Sequence, residues 1–293
     1  MLQGSMVALV TPFDDAGQVD YVALERLVEF HIEAGTHAIV AVGTTGESAT
    51  LTHQEHNDVI ARVVKTVDGR VPVIAGTGSN STAEAIESTL EAEKAGADFS
   101  LSVVPYYNKP CQRGLYAHFK ALAENTTLPI LLYNVPGRTG ADMADDTTLA
   151  LARDFENIVG IKDATGDLTR GQYLLDNRPE DFLVISGDDA TALELTLMGG
   201  QGDISVTANV APAAMAEAFE LALAGQAEDA RAIYQRLMGL HTDLFVESSP
   251  SPSKYCLAKM GMLGENLRLP LVPTAPEHHA KLDAAMRQAG IEV

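Results

Sequence analysis

The chain has 293 residues, 46% of them hydrophobic, enough for one large core or two modest ones. Its formal net charge of −20 excludes a nucleic-acid partner, because that affinity comes from clustered Lys and Arg and no basic block occurs. Cys111 and Cys256 are too few and too far apart for a disulfide framework and sit in no Cys/His metal spacing, which fits a reducing compartment.

In chain order, short apolar runs predict strands at 5–10, 38–42, 71–75, 99–104, 130–133, 158–162, 182–186 and 203–206. Between them the stretches 22–34, 55–67, 82–94 and 115–124 repeat apolar residues at three and four, the helical period. Near-continuous apolar strands alternating with helices imply a parallel sheet covered on both faces, and eight such units favour a closed (β/α)8 TIM barrel of the α/β class. Further helical patterns follow at 212–224, 227–245, 252–262 and 276–289. The first closes a barrel of residues 1–224, and the rest form a C-terminal helical region, 225–293. Pro250, Pro252, Pro270 and Pro273 punctuate that region without a low-complexity linker, so it is expected to pack on the barrel. Residues 1–20 place no Lys or Arg ahead of their apolar stretch and are not expected to be a signal peptide. With no apolar run near the roughly 20 residues of a membrane span, the chain is expected to be soluble and cytoplasmic.

Active sites of such barrels lie at the C-terminal strand ends, and those ends are polar here. Strand two ends in Gly43-Thr44-Thr45-Gly46-Glu47-Ser48, strand four in Pro105-Tyr106-Tyr107-Asn108, strand five in Tyr133-Asn134-Val135-Pro136-Gly137-Arg138, and strand six in Lys162. The other lysines fall on helices or in loops, whereas Lys162 closes an apolar strand. Burial disfavours a charged amine, and a neutral amine is what a Schiff-base nucleophile needs. By position alone the alternative is a structural lysine paired with a carboxylate such as Asp188. Tyr133 supplies a phenol that can shuttle protons beside Lys162, or an aromatic filling the barrel top. Thr44 and Thr45 offer hydroxyls and backbone N–H groups to a carboxylate, or an ordinary helix cap, with Glu47 favouring the helix's positive end. Arg138 suits a bidentate carboxylate clamp or a surface salt bridge.

Tyr106 and Tyr107 are adjacent and cannot both face one pocket, so one is expected inward and one toward a partner chain. His53 and His56 lack a third ligand, so no metal site is expected. Gly199-Gly200-Gln201-Gly202 reads as a phosphate loop at the end of strand eight or, more simply, as a helix C-cap at Gly199.

Gly43-Thr44-Thr45-Gly46-Glu47-Ser48, Tyr133-Asn134-Val135-Pro136-Gly137-Arg138-Thr139-Gly140 and Gly160-Ile161-Lys162-Asp163-Ala164-Thr165-Gly166 together resemble the signatures of the 4-hydroxy-tetrahydrodipicolinate synthase (dihydrodipicolinate synthase) family. That family belongs to the pyruvate-dependent class I aldolases. The resemblance runs from the first strand to Val272 and includes Ser186-Gly187-Asp188-Asp189-Ala190 and Ile204-Ser205-Val206-Thr207-Ala208-Asn209. Asp163 stands where a glutamate is commoner, a conservative departure.

The resemblance implies an imine between Lys162 and pyruvate, proton relay by Thr44, Tyr133 and Tyr107, and no cofactor. It implies that Thr45 holds the pyruvate carboxylate, that Gly187 and Ile204 line the pocket, and that Arg138 receives the carboxylate of L-aspartate 4-semialdehyde. The enamine attacks the aldehyde, and the product enters diaminopimelate and lysine biosynthesis. In relatives the tyrosine at Tyr107 comes from the adjacent subunit, implying a homotetramer built as a dimer of tight dimers. Ser48, Ala49, His53, His56, Asn80, Glu84 and Tyr106 match the pattern of a feedback site for L-lysine, with Glu84 meeting the effector's ammonium. Two alternatives are a pyruvate aldolase cleaving a 2-keto-3-deoxy sugar acid and a catalytically silent binding protein on the same barrel. Arg138 speaks against the first; Lys162, Tyr133 and Thr44 together speak against the second.

Overall fold

The computed structural model describes residues 2–293. Strands and helices alternate as β1 (Gly4–Ala8), α1 (Tyr21–Glu33), β2 (Ala38–Ala41), α2 (His53–Val67), β3 (Val73–Gly76), α3 (Thr82–Ala95), β4 (Phe99–Val103) and α4 (Gln112–Ala123). The second half runs β5 (Ile130–Asn134), α5 (Pro136–Thr139), α6 (Asp145–Asp154), β6 (Ile158–Asp163), α7 (Leu168–Asn177), β7 (Leu183–Ser186), α8 (Ala192–Leu197), β8 (Gly202–Ser205) and α9 (Pro212–Leu223). Then come α10 (Ala227–Asp243), α11 (Ser251–Lys259) and α12 (Pro276–Gln288). The eight parallel strands pair in sequence order, and β8 returns to β1, closing the TIM barrel.

Every strand is bonded on both sides, so the two-residue alternation of side chains divides the apolar residues between two layers. Met6, Val40, Ile74, Leu101, Leu131, Ile185 and Ile204 fill the barrel interior. Their chain neighbours Val7, Ile39, Ala75, Leu132 and Val184 face outward into clusters shared with the helices.

Predicted strand positions agree with the barrel, and the differences at their ends have local causes. The third strand begins at Val73 and not at residue 71, since Pro72 has no N–H to add to the ladder. The first strand leaves the ladder after Ala8, and the Val10 N–H donates to the Asn209 side chain (3.1 Å). Helix α11 stops at Lys259, short of the predicted residue 262, because Gly261 takes a left-handed φ of 71°. The one-turn α5 was not foreseen; Pro136 at its first position pre-sets the helical φ.

Helix α10 packs against α9 and α12, with Tyr234 of α10 edge-on to Phe219 of α9 at 6.0 Å. The segment after α11 is fastened by Arg268, whose guanidinium donates to the Gly17 and Thr50 carbonyls and forks onto Glu55 at 2.6 and 2.8 Å. Among the described residues no helix is long and apolar enough to cross a membrane.

The Arg268 fork, reinforced by the Thr52 N–H, lowers the Glu55 carboxyl from its ordinary 4.5 to about 2. A depressed carboxyl contributes stability that is complete above pH 4.5 and is lost as pH falls toward about 2. Glu55→Gln should therefore melt below the parent at neutral pH, with the gap narrowing steadily below pH 4.5. Thermal melts across that range check it; a gap independent of pH would rule out the charged fork as its source.

Candidate active site

Lys162 lies at the C-terminal end of β6, in register between Tyr133 of β5 and Ile185 of β7, on the inward face. It is only 6% exposed, and its Nζ rests 4.4 Å from the centre of the Tyr133 ring. Asp188, the carboxylate that would have made Lys162 a structural lysine, accepts instead from the Thr191 N–H (3.2 Å) and Oγ1 (2.7 Å). Gly187 closes over the amine's stem: its N–H donates to the Asp163 carbonyl (2.8 Å), and a Cβ there would stand 2.5 Å from Lys162 Cε. Ile204 is buried in the same interior cluster as Tyr133.

Behind β6, Asp163 accepts from Thr165 Oγ1 (2.9 Å) and from Arg170 Nε (3.2 Å), and Arg170 also donates to the Met143 carbonyl and pairs with Asp145. Burial raises the Asp163 carboxyl above its ordinary value, with Arg170 opposing. The buried Asn134 side chain donates to Asp142 (2.8 Å) and accepts from the Met143 N–H (3.0 Å). These bonds fix the backbone on both sides of α5, which presents Arg138 as an exposed side chain.

The turn after β2 is held by bonds from Gly46 N–H to the Gly43 carbonyl (3.0 Å), Glu47 N–H to the Thr44 carbonyl (3.1 Å) and Thr11 Oγ1 to the Gly46 carbonyl (2.7 Å). Thr45 is buried and Thr44 exposed toward the cavity. Val42 and Glu47, flanking the turn, both take left-handed backbone with φ of 49° and 55°. For a β-branched residue that is strain of roughly 1–3 kcal/mol, sustained only by surrounding structure. The cap of α2 is Thr52, which forms a capping box with Glu55. Helix capping by the threonine pair, with Glu47 at the helix's positive end, is thereby corrected: Glu47 is buried against Lys254 at 2.6 Å.

A cavity of about 260 Å³ opens beside this turn. Thr44, Ser48, Ala49, His53, His56, Glu84, Tyr106 and Tyr133 line it, whereas Lys162, Thr45, Arg138, Gly187 and Ile204 do not. Asn80 stands just outside, donating to the Tyr106 carbonyl (3.2 Å) and accepting from Asn108 (2.9 Å). His56 Nε2 donates to the Gly76 carbonyl (2.9 Å), and burial lowers its pKa. Glu84 accepts from Ser79 Oγ (2.9 Å). Among the described residues no group of three or more metal-ligating side chains occurs. Tyr106 faces the cavity, whereas Tyr107, at φ 70°, projects away from the chain with 88% of its surface exposed. The Gly199 loop precedes β8 and so lies at the opposite mouth of the barrel, which removes it as a phosphate site near Lys162.

The model of the dihydrodipicolinate synthetase family matches residues 1–289, and the chain belongs to that family. It is 58% identical over 293 residues to the 4-hydroxy-tetrahydrodipicolinate synthase of Pseudomonas putida (strain W619), covering 100% of both chains. Among solved structures, one described as the chloride-inhibited dihydrodipicolinate synthase of Acinetobacter baumannii complexed with pyruvate superposes with a TM-score of 0.98 at 52% identity, covering 100% of both chains. Another, dihydrodipicolinate synthase from Cyanidioschyzon merolae with lysine bound, gives 0.96 at 42% identity over 99% of both. The chain is thus an enzyme of the 4-hydroxy-tetrahydrodipicolinate synthase type, with a function in lysine and diaminopimelate biosynthesis.

Lys254 is the residue that sequence pattern did not single out: a helical lysine reads as exposed, yet this one is fully buried. Gly187→Ala should drive a methyl into the Lys162 stem and Ala164, where contacts would fall to 2.5 and 2.9 Å. Overpacking of this kind costs about 1–3 kcal/mol, and where that cost falls on placing the Lys162 amine it lowers synthase turnover roughly 5- to 150-fold. Steady-state kinetics on the folded variant check it, and parental turnover would mean that Lys162 has room to move.

Proposed function

We propose that the chain condenses pyruvate with L-aspartate 4-semialdehyde through an imine on Lys162. The observation that carries this is the amine of Lys162, nearly buried at the end of β6 against the Tyr133 ring and roofed by Gly187. The neutral amine adds to C2 of pyruvate, and loss of water gives the imine. Removal of a C3 proton yields the enamine, whose C3 forms the new bond to the aldehyde carbon while the aldehyde oxygen takes up a proton. The substrate's own amine then displaces Lys162 by transimination, closing the ring of 4-hydroxy-tetrahydrodipicolinate and freeing the enzyme.

Tyr133 and Thr44 relay the protons, completed by Tyr107 from a neighbouring subunit; the 88% exposure of Tyr107 supports a side chain meant for another chain. Thr45 holds the pyruvate carboxylate with Gly187 and Ile204 lining the pocket, and Arg138 receives the carboxylate of the aldehyde. The A. baumannii relative described with pyruvate supports the first substrate. The assembly is a homotetramer made of two tight dimers, located in the cytoplasm. Reduction with borohydride in the presence of pyruvate should leave a pyruvyl adduct on the peptide holding Lys162 and none on Lys162→Ala. Peptide mass spectrometry decides it, and an unmodified Lys162 peptide refutes the imine.

The cavity beside the threonine turn is assigned to L-lysine as a feedback inhibitor. Glu84 would pair with its ammonium, and Ser48, Ala49, His53, His56, Asn80 and Tyr106 would enclose it. The lysine-bound C. merolae relative supports the assignment. Calorimetry should give binding heat and assays should show inhibition at millimolar lysine, with Glu84→Gln weakening binding by about tenfold through loss of one charge-assisted bond. Parental activity in lysine with no heat excludes this regulation.

A further inference from the structure

The ion pair between Lys254 of α11 and Glu47 joins the C-terminal helices to the turn carrying Thr44 and Thr45, and both side chains are wholly buried. Lys254 Nζ lies 2.6 Å from Glu47 Oε1, donates to the Asn266 carbonyl (2.8 Å) and sits 4.2 Å from the centre of the Phe13 ring. The Arg268 N–H donates to Glu47 Oε2 (3.2 Å), so both carboxylate oxygens of Glu47 are met from the C-terminal segment. Asn266 extends the same fastening to the loop after β1 through the Phe13 carbonyl (3.2 Å) and Asp15 (3.0 Å). Burial lowers the Lys254 amine to about 8, with Glu47 acting against the shift.

Two charges withdrawn from water are a poor source of net stability, since apolar replacements often do as well. Their placement here has a different use. Glu47 is one of the two left-handed residues bounding the turn, and such backbone persists only where surroundings over-determine it. We infer that Lys254 is a positioning residue for the pyruvate-binding turn: by gripping the Glu47 carboxylate it holds Glu47 left-handed and so sets the height of Thr44 and Thr45 above Lys162. The inference rests on the proposed roles of the two threonines and adds to them a control exercised from α11.

The discriminating variant is Lys254→Met/Glu47→Gln, which removes both charges and leaves no buried ion unpaired. If the pair positions the turn, the double variant melts near the parent yet needs about 10-fold more pyruvate for half-maximal borohydride trapping, with the KM for the aldehyde within about 2-fold. If the pair serves only stability, pyruvate dependence matches the parent, and the positioning role is overturned. Should the double variant fail to fold, Glu47→Gln alone is used and trapped beside the parent above pH 8, where the Lys254 amine, lowered to about 8 even with Glu47 present, sheds its proton and leaves no unpaired ion. A pyruvate requirement raised about 3-fold supports the inference and an unchanged one overturns it. Parental protein is trapped in parallel: absence of its own adduct condemns the imine mechanism, whereas a parental adduct with unaltered variants condemns only the clamp.

Discussion

Every strand of the barrel is hydrogen-bonded to two neighbours, and closure of β8 onto β1 leaves no freedom to slide. Height and facing of each side chain are therefore set by register, not by the loops. That constraint puts Lys162 level with Tyr133 and Ile185, facing inward at the mouth where polar groups gather. A one-residue slip of β6 would exchange Lys162 with Ile161 or Asp163 and turn the amine toward the helices. The polar scaffold behind β6, formed by Asp163, Arg170, Asn134 and Asp142, secures the same register from outside.

Strain is concentrated where the cavity and its neighbouring loop demand unusual backbone. Val42 and Glu47 bound the threonine turn, and Tyr107 and Lys109 shape the projecting loop, all with positive φ. Only Asp68 among the described non-glycine residues with positive φ lies elsewhere, at the end of α2. The fold tolerates these conformations because rigid strands and buried side-chain bonds hold the segments on either side.

Much of this was legible in the sequence because the signals are local. Apolar runs of strand length mark the barrel staves, and a lysine closing one of them is conspicuous beside Ile161. What escaped depends on partners distant in the chain. Glu47 has the position of a residue favouring a helix start, and only the folded chain brings Lys254 against it. No metal site is expected at His53 and His56 for want of a third ligand, but that His56 spends its ring N–H on the Gly76 carbonyl shows only in the folded chain. Gly199 reads as a phosphate loop at the end of strand eight or as a helix C-cap; its place after α8 and before β8 puts it at the mouth opposite Lys162.

A cavity lined both by Thr44 and Tyr133 and by His56 and Glu84 has a thermodynamic consequence. An effector bound there and pyruvate bound at Lys162 would both bear on the threonine turn and on Tyr133, which line it. If occupancy of one site alters the affinity at the other, linkage makes the coupling mutual: each ligand changes the other's dissociation constant by the same factor. Substrate concentration would then set the sensitivity to an effector as much as the effector sets the use of substrate, and the stiffness of one short turn would fix the size of that exchange.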